Sequence, residues 1–380
     1  MRGMVLQAIR VLDLTRLLPG PYCTLMLADF GAEVIKVEDP VAGDYLRDFE
    51  PKLDADSAVF HSLNRNKKSI CLDLKTEKER SHFLKLVETA DVVMESFRPG
   101  VMKRLGLDYE TLKQINPRLI YCAITGYGQT GPYKDKPGHD INYLSYAGLL
   151  HVMGEKDRKP VIPATQIADI GGGAYPAIAG ILLALFEREK TGKGQLVDVS
   201  MLDGVVSWMH MLLPNVFAER EVTRGEELLN GGFACYQVYE TKDNRFLSMG
   251  GIEQKFWKVF CEGIERQDFI DCLDAPKEKQ EQMIHETQTI IAGKTLEEWL
   301  DIFSEKEACV TPVKIMEETL EDSQLQAREM IQTIAHPELG NMKQIGNPIK
   351  LSESPKETFL PAPKRGEHTE LILREIGVLN

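Results

Sequence analysis

Apolar positions in the first third of the chain follow two alternating periods. Short runs rich in β-branched residues occur at 11–14, 34–38, 69–72, 91–95 and 119–124. Between several of them apolar residues return every three or four positions. The clearest case is 77–90, where Phe83, Leu84, Leu86 and Val87 share a helical face. Another is 108–116, stopped by Pro117 because proline disfavours the α region for the residue before it. Strands alternating with helices predict an open α/β layer with a mostly parallel sheet covered on both faces.

Beyond it a long helix is expected over about 172–189, closed by Gly192 as a left-handed cap. A strand at 195–200 and an apolar helix over about 202–216 follow, and then a polar connector at 219–229. The pattern then changes. Segments 236–241 and 246–249 flank the turn Lys242-Asp243-Asn244-Arg245 and read as a hairpin. Helical periods follow at 254–263 and 278–291, and Thr295 and Glu298 have capping-box spacing. This predicts a smaller α+β domain at 219–325. The large domain spans 1–218 and is completed by about 326–380, where 361–369 leads into a final helix. No internal repeat or low-complexity tract interrupts the chain.

Composition narrows the function classes. The 380 residues are 43% hydrophobic and 27% charged, with a net charge of −13. Such an acidic surface repels phosphate backbones, so no nucleic-acid partner is expected. The seven cysteines are odd in number and form no CxxC pair. That pattern argues against a disulfide framework or a zinc site and for a reducing compartment. The start, MRGMVLQAIRVLDL, lacks the pattern of a secretory signal. The longest uncharged apolar stretch, 174–186, falls short of the ~18 residues of a membrane span and reads as a buried helix. A cytoplasmic protein with no membrane partner is expected.

Several familiar motifs fail. Gly126-Tyr127-Gly128-Gln129-Thr130-Gly131 has the GxGxxG spacing, but the residues after it, Pro132 to Pro137, are loop-forming. The motif holds a dinucleotide only where it opens a helix. No GxxxxGK[ST], HExxH or GxSxG is present, so ATP hydrolysis, zinc proteolysis and serine hydrolysis lack their usual parts. What remains is acid–base and anion chemistry. Asp169 stands before Ile170-Gly171-Gly172-Gly173 and the long helix. The plain reading is an N-cap. Three glycines are unusual for a simple cap, since each weakens a helix by roughly 1 kcal/mol relative to alanine. They would let a ligand approach backbone N–H groups at a positive helix end. His139 lies in Pro137-Gly138-His139-Asp140-Ile141-Asn142-Tyr143, where its plain reading is structural and Asp140 is a turn former or supporting partner. Cations gather at Asn64-Arg65-Asn66-Lys67-Lys68 and at Phe97-Arg98-Pro99-Gly100, with Lys103 and Arg104 close behind. Both groups sit at strand ends, where α/β sheets bind ligands, and they suit a phosphate-bearing molecule as well as an ordinary solvated surface.

The run Val11-Leu12-Asp13-Leu14-Thr15-Arg16-Leu17-Leu18-Pro19-Gly20-Pro21 resembles the start of the family III CoA-transferase superfamily (CaiB/BaiF type). Segments 64–73, 95–107, 116–121, 126–132, 138–143, 168–173, 191–203 and 366–369 continue the match over nearly the whole chain. The Gly-His-Asp-Ile-Asn-Tyr string is most similar to the α-methylacyl-CoA racemase branch. The resemblance implies a CoA-thioester enzyme with a Rossmann-like large domain and a smaller domain, an interlocked homodimer and no cofactor or metal beyond the CoA of the substrate. It also implies His139 and Asp169 as the catalytic pair and Glu253 as the carboxylate supporting His139. CoA would be held by Arg16, Leu17, Asn66, Lys67, Arg98 and Arg104, with Asp140, Tyr143, Gly171 and Gly172 around the substrate.

Two chemistries share such a scaffold. In the racemase branch a histidine and an aspartate act on opposite faces of the α-carbon of a 2-methylacyl-CoA thioester. In the transferases the aspartate, here Asp169, attacks the acyl-CoA and passes CoA to another acid through an aspartyl-CoA thioester. The stretch Gly250-Gly251-Ile252-Glu253-Gln254 interrupts the glycine-rich loop usual in transferases with an acid. The expectation is therefore a racemase or epimerase, with CoA transfer as the alternative and a non-catalytic acyl-CoA-binding protein as the third reading. Racemisation requires an enolate, for which backbone N–H groups at Asp169 and the glycines are the expected donors. Burial would raise the Asp169 pKa and a helix N-terminus would lower it.

Overall fold

The computed structural model describes residues 3–353 and 359–379. Contacts divide the chain into two compact units. One comprises Met1–Ala147, Pro163–Trp208 and Gln324–Asn380, and the other Gly148–Ile162 and Met209–Ser323. The division departs from the expected boundaries at 148–162 and at 209–218, which belong to the second unit. There Lys156 pairs with Glu226 at 2.8 Å and Glu281 at 3.0 Å. Contacts this distant along the chain leave no mark in local periodicity. Of the 326–380 stretch expected to complete the large domain, 354–358 and 380 lie outside the described residues.

The first unit is built on a sheet of six parallel strands: β1 (Arg10–Asp13), β2 (Glu33–Glu38), β3 (Lys67–Cys71), β4 (Val92–Glu95), β5 (Ile120–Thr125) and β6 (Leu196–Ser200). Their spatial order is 3-2-1-4-5-6, that of a doubly wound fold. Because β1 neighbours both β2 and β4, the direction of winding reverses between β1 and β4. Such a reversal opens a crevice at the carboxyl ends of those two strands. Strands β1 to β5 are largely apolar and buried, as expected of parallel strands under helices, with Asp13, Lys36, Glu38 and Lys67 among the buried charged exceptions. Leu12, Ile35, Ile70 and Val93 are fully buried beside Phe83, Leu86 and Val87 from the helix Glu77–Val87. Thr76 caps that helix through the N–H of Glu79, and Asp108 caps Tyr109–Ile115 through that of Thr111.

The predicted long helix is a seven-residue π-helix, Ala168–Ala174, running into an α-helix, Tyr175–Thr191, with Gly192 at φ 70° closing it. Together they form 24 residues, with an 18-residue window of mean hydropathy 1.5, long and apolar enough to cross a membrane by those measures alone. One face packs on the sheet through Ala177, Ile181 and Ala184. The other is open, with Leu183 69% and Phe186 64% exposed, so the helix is not buried all round as its composition suggested. The predicted helix over 202–216 is two, Met201–Ser207 and Leu213–Phe217, one in each unit. A hairpin pairing Ile331–His336 with Gly340–Ile345 went unpredicted because its apolar residues are sparse.

In the second unit the expected hairpin pairs Tyr236–Glu240 with Phe246–Gly250, and an unexpected third strand, Val310–Pro312, joins it. The helix Gln254–Gly263 packs Trp257 and Phe260 into a core with Trp299 and Phe303. All seven cysteines are unpaired.

Candidate functional site

After β5 the chain passes through Gly126–Gly131 without opening a helix; the next begins at Asp140. Gly128 and Gly131 take positive φ in the turn, whereas Gly126, like Gly138 beyond it, makes room for a side chain. A Cβ at Gly126 would lie 2.3 Å from the Tyr143 ring, and one at Gly138 would lie 2.8 Å from it. Tyr143 is buried and its hydroxyl donates to the Gly138 carbonyl at 2.6 Å. The backbone of His139 is fixed as well, its N–H donating to Asn142 Oδ1 at 3.0 Å. The imidazole itself is exposed and has no hydrogen-bond partner among the described residues.

Asp140 opens the helix Asp140–Ala147 and reaches back to the π-helix. Its Oδ1 accepts the N–H groups of Ala168 at 2.6 Å and Asp169 at 3.1 Å. The carboxylate that caps this helix entry is therefore Asp140, 29 residues earlier, and not Asp169 as its position suggested. The bond also ties the histidine-bearing turn to the aspartate-bearing one. The Asp169 side chain is free for chemistry and largely buried. Burial first, and the nearby charge of Asp140 second, push its carboxyl up to about 7. Burial likewise raises Asp140, opposed by the two N–H groups it accepts.

The glycine run has a different purpose from the one expected. A Cβ at Gly171 would lie 1.6 Å from Trp208, one at Gly172 2.6 Å from the Met201 carbonyl, and one at Gly173 2.8 Å from the Met201 side chain. On the facing helix, a Cβ at Gly204 would fall 1.9 Å from the Gly172 carbonyl oxygen. The glycines let the helix Met201–Ser207 press against the π-helix, so Gly171 and Gly172 face protein and not a ligand. The Asp169 N–H, donated to Asp140, is also unavailable as an oxyanion donor. A π-helix itself is rare and recurs at functional sites because it re-aims side chains within a helix.

The expected CoA ligands separate into two groups. Lys67 is buried, and its three protons go to Pro21 O, Thr24 Oγ1 and Asn64 Oδ1 at 2.8–3.0 Å. No donor is left for a phosphate, and burial lowers its pKa to about 8. Asn66 is equally committed, donating to Asp29 Oδ1 and accepting from the Leu360 N–H. These two hold the fold together. Arg16, Arg98 and Arg104 make no ion pair among the described residues. Arg16 and Leu17 follow β1, and Arg98 follows β4, so all three sit at the winding reversal. The Arg16 guanidinium lies 5.1 Å from the ring centroids of both Tyr45 and Phe97, two aromatic partners the sequence reading missed. Arg104 stands exposed on the short helix Val101–Leu105. Glu253, in the second unit, precedes the helix Gln254–Gly263, is exposed and makes no side-chain capping bond.

Asp54, His61 and His336 bring potential metal-ligand atoms within 4.8 Å of one another. Their donor chemistry does not suit a metal. His336 Nδ1 accepts the N–H groups of Glu338 and Leu339, which leaves its proton on Nε2, the atom a metal would need. The cluster is a hydrogen-bonded tie, with His61 Nε2 3.1 Å from Asp54 Oδ1.

Comparison with known proteins agrees with this arrangement. The profile described as CoA-transferase family III matches residues 6–369. Alpha-methylacyl-CoA racemase of Homo sapiens is 35% identical, over 98% of this chain and 94% of that protein. Succinyl-CoA:glutarate CoA-transferase of Mus musculus is 33% identical, over 98% and 86%. The crystal structure of a CAIB/BAIF family protein from Brucella suis aligns with a TM-score of 0.85 at 29% identity, covering 99% of this chain and 100% of that one. A chain with this doubly wound sheet is thus similar over nearly its whole length to relatives named for both chemistries, and it belongs to CoA-transferase family III.

Proposed function

We propose that this protein is an acyl-CoA racemase or epimerase that inverts the α-carbon of a 2-methylacyl-CoA. The observation that carries the reading is the Asp169 carboxyl, pushed to about 7 by burial and by Asp140, on a turn bonded to the one bearing His139. A group that both accepts and donates a proton near neutrality works in either direction, as a racemase requires. A carboxylate nucleophile would instead be served by an environment that keeps it ionised.

In one direction the α-C–H bond breaks, the proton passes to the neutral imidazole of His139, and the electron pair moves into the thioester to form an enolate. Protonated Asp169 then delivers its proton to the opposite face of the α-carbon. The product state holds His139 protonated and Asp169 ionised, and the reverse reaction restores the first state. The pair shares one proton between its two working states. Arg16, Arg98 and Arg104 hold the CoA phosphates through charge-assisted bonds, while the Leu17 N–H is already donated to Asp44. No metal or redox group enters this scheme. The open face of the helix Tyr175–Thr191 supports a homodimer, which light scattering of the purified protein tests.

The second reading is CoA transfer through an Asp169 thioester, favoured by the 33%-identical transferase relative. Incubation of a chiral 2-methylacyl-CoA in D2O without an acceptor acid separates the two. Deuterium appearing at the α-carbon with loss of chirality is the expected result. No exchange, together with CoA migration once a free acid is supplied and a hydroxylamine-trapped Asp169 adduct, would establish transfer instead. CoA binding that survives His139→Ala and Asp169→Ala, with no turnover of any thioester, would mark a non-catalytic binder.

A further inference from the structure

The buried charges beneath the winding reversal have no part in the proton chemistry. Lys36 on β2 and Asp44 in the following loop form an ion pair of 2.7 Å, with side chains 1% and 0% exposed. Removing two charges from water is expensive, and a buried pair is often replaceable by apolar residues without loss of stability. Stability alone is therefore a weak reason for this one. Its remaining bonds show what it holds. Lys36 Nζ donates to the Thr15 carbonyl at 2.9 Å, and Asp44 Oδ1 accepts the N–H of Leu17 at 3.2 Å. Thr15 and Leu17 are the two neighbours of Arg16. Leu17 is held at φ 62°, a left-handed conformation uncommon for a branched residue. The same Asp44 oxygen accepts the N–H of Leu46 at 3.1 Å, so Asp44 and Leu46 bracket Tyr45, whose hydroxyl accepts from Arg16 Nη1 at 3.0 Å.

We propose that the Lys36–Asp44 pair is a positioning device. It grips both neighbours of Arg16 and both neighbours of Tyr45, so that the guanidinium stays clamped between the Tyr45 and Phe97 rings at the β1–β4 crevice. The clamp fixes the cation before an anionic ligand arrives, which removes ordering entropy from the binding step. This inference rests on the reading that Arg16 takes part in holding CoA.

Calorimetric titration with free CoA tests it, on the full chain and on three variants: Arg16→Ala, the paired replacement Lys36→Met with Asp44→Leu, and all three together. Arg16→Ala is expected to weaken CoA binding about tenfold, as for loss of one charge-assisted contact. The paired replacement should keep a cooperative urea transition and weaken binding by about the same factor. The triple variant should bind no more weakly than the paired one, because an unclamped Arg16 has little left to lose. In turnover, the paired replacement should raise KM while kcat changes less than about twofold, since uniform binding is what it removes. A folded paired variant that binds CoA like the parent, or losses that simply add in the triple variant, would overturn the device. Unchanged binding by Arg16→Ala alone would instead overturn the CoA placement and leave the pair without a ligand to serve. If the paired variant shows no cooperative transition, Lys36→Met alone, which removes the bond to the Thr15 carbonyl while the Leu17 and Leu46 N–H groups still hold the Asp44 carboxylate, is held to the same two criteria.

Discussion

Replacing Asp169 by asparagine should stabilise the protein in a way that depends on pH, while abolishing its chemistry. The folded carboxyl titrates near 7, against an ordinary value of 3.8, because burial and Asp140 disfavour its charge. Between those two values the folded state binds more protons than the unfolded one, so stability falls as pH rises through that window. Below about pH 4 both states are protonated and the carboxyl carries no penalty. Above about pH 8 the full penalty is present, and at ~1.4 kcal/mol per unit a shift of roughly three units amounts to roughly 4 kcal/mol. Asparagine has the shape of the protonated acid and no charge to bury. Urea unfolding of the parent and of Asp169→Asn should therefore give equal stabilities near pH 4 and an increasing advantage for the variant up to pH 8. α-Proton exchange by the variant should fall by about 10²–10⁴, the usual contribution of a positioned acid–base group. A difference in unfolding free energy that stays constant from pH 4 to pH 9 would refute the raised carboxyl and the proton-sharing mechanism built on it.

Asp140→Asn keeps an oxygen for the Ala168 and Asp169 N–H groups but removes the second cause of the raised Asp169 carboxyl. The Asp169-dependent limb of the pH–rate profile should move to lower pH, which initial rates across pH 5–9 will show. Gly204→Ala places a methyl 1.9 Å from the Gly172 carbonyl and forces two helices apart. A loss of about 1–3 kcal/mol in urea unfolding is expected, as for other overpacked cores. Arg98→Ala should raise KM for the thioester about tenfold with little change in kcat, consistent with loss of one charge-assisted phosphate contact. Lys67→Met, by contrast, should leave KM unchanged, since its three donors already serve Pro21, Thr24 and Asn64; steady-state kinetics distinguishes the two cations.

Much of the fold was legible because the parallel sheet writes itself into the chain as short apolar runs. The six strands lie within a residue or two of their expected positions. Elements whose burial depends on distant partners were less legible. The hairpin of Ile331–His336 and Gly340–Ile345 carries Ile334 and Met342 inward but is otherwise mostly polar and half exposed. The site divides in the same way. Arg98 and Arg104 stood out as cations at strand ends and Arg16 through the family resemblance, and none of the three makes an ion pair among the described residues. Lys67 stood out at a strand end too, yet is turned inward, because sequence records charge and not direction.

The amino-acid order by itself determined the alternation of strands and helices, the acidic balance, the set of titratable groups and the full-length resemblance to one family. Those properties live in local periodicity and residue identity. Tertiary structure decided which groups are free. It assigned the helix-entry cap to Asp140 and released the Asp169 side chain. It spent the glycine run on packing against Trp208 and Met201, and it gripped Arg16 through a buried lysine and aspartate. Each of these depends on which distant atoms come within a few ångströms and on how much water is expelled, quantities that exist only once the chain has closed upon itself.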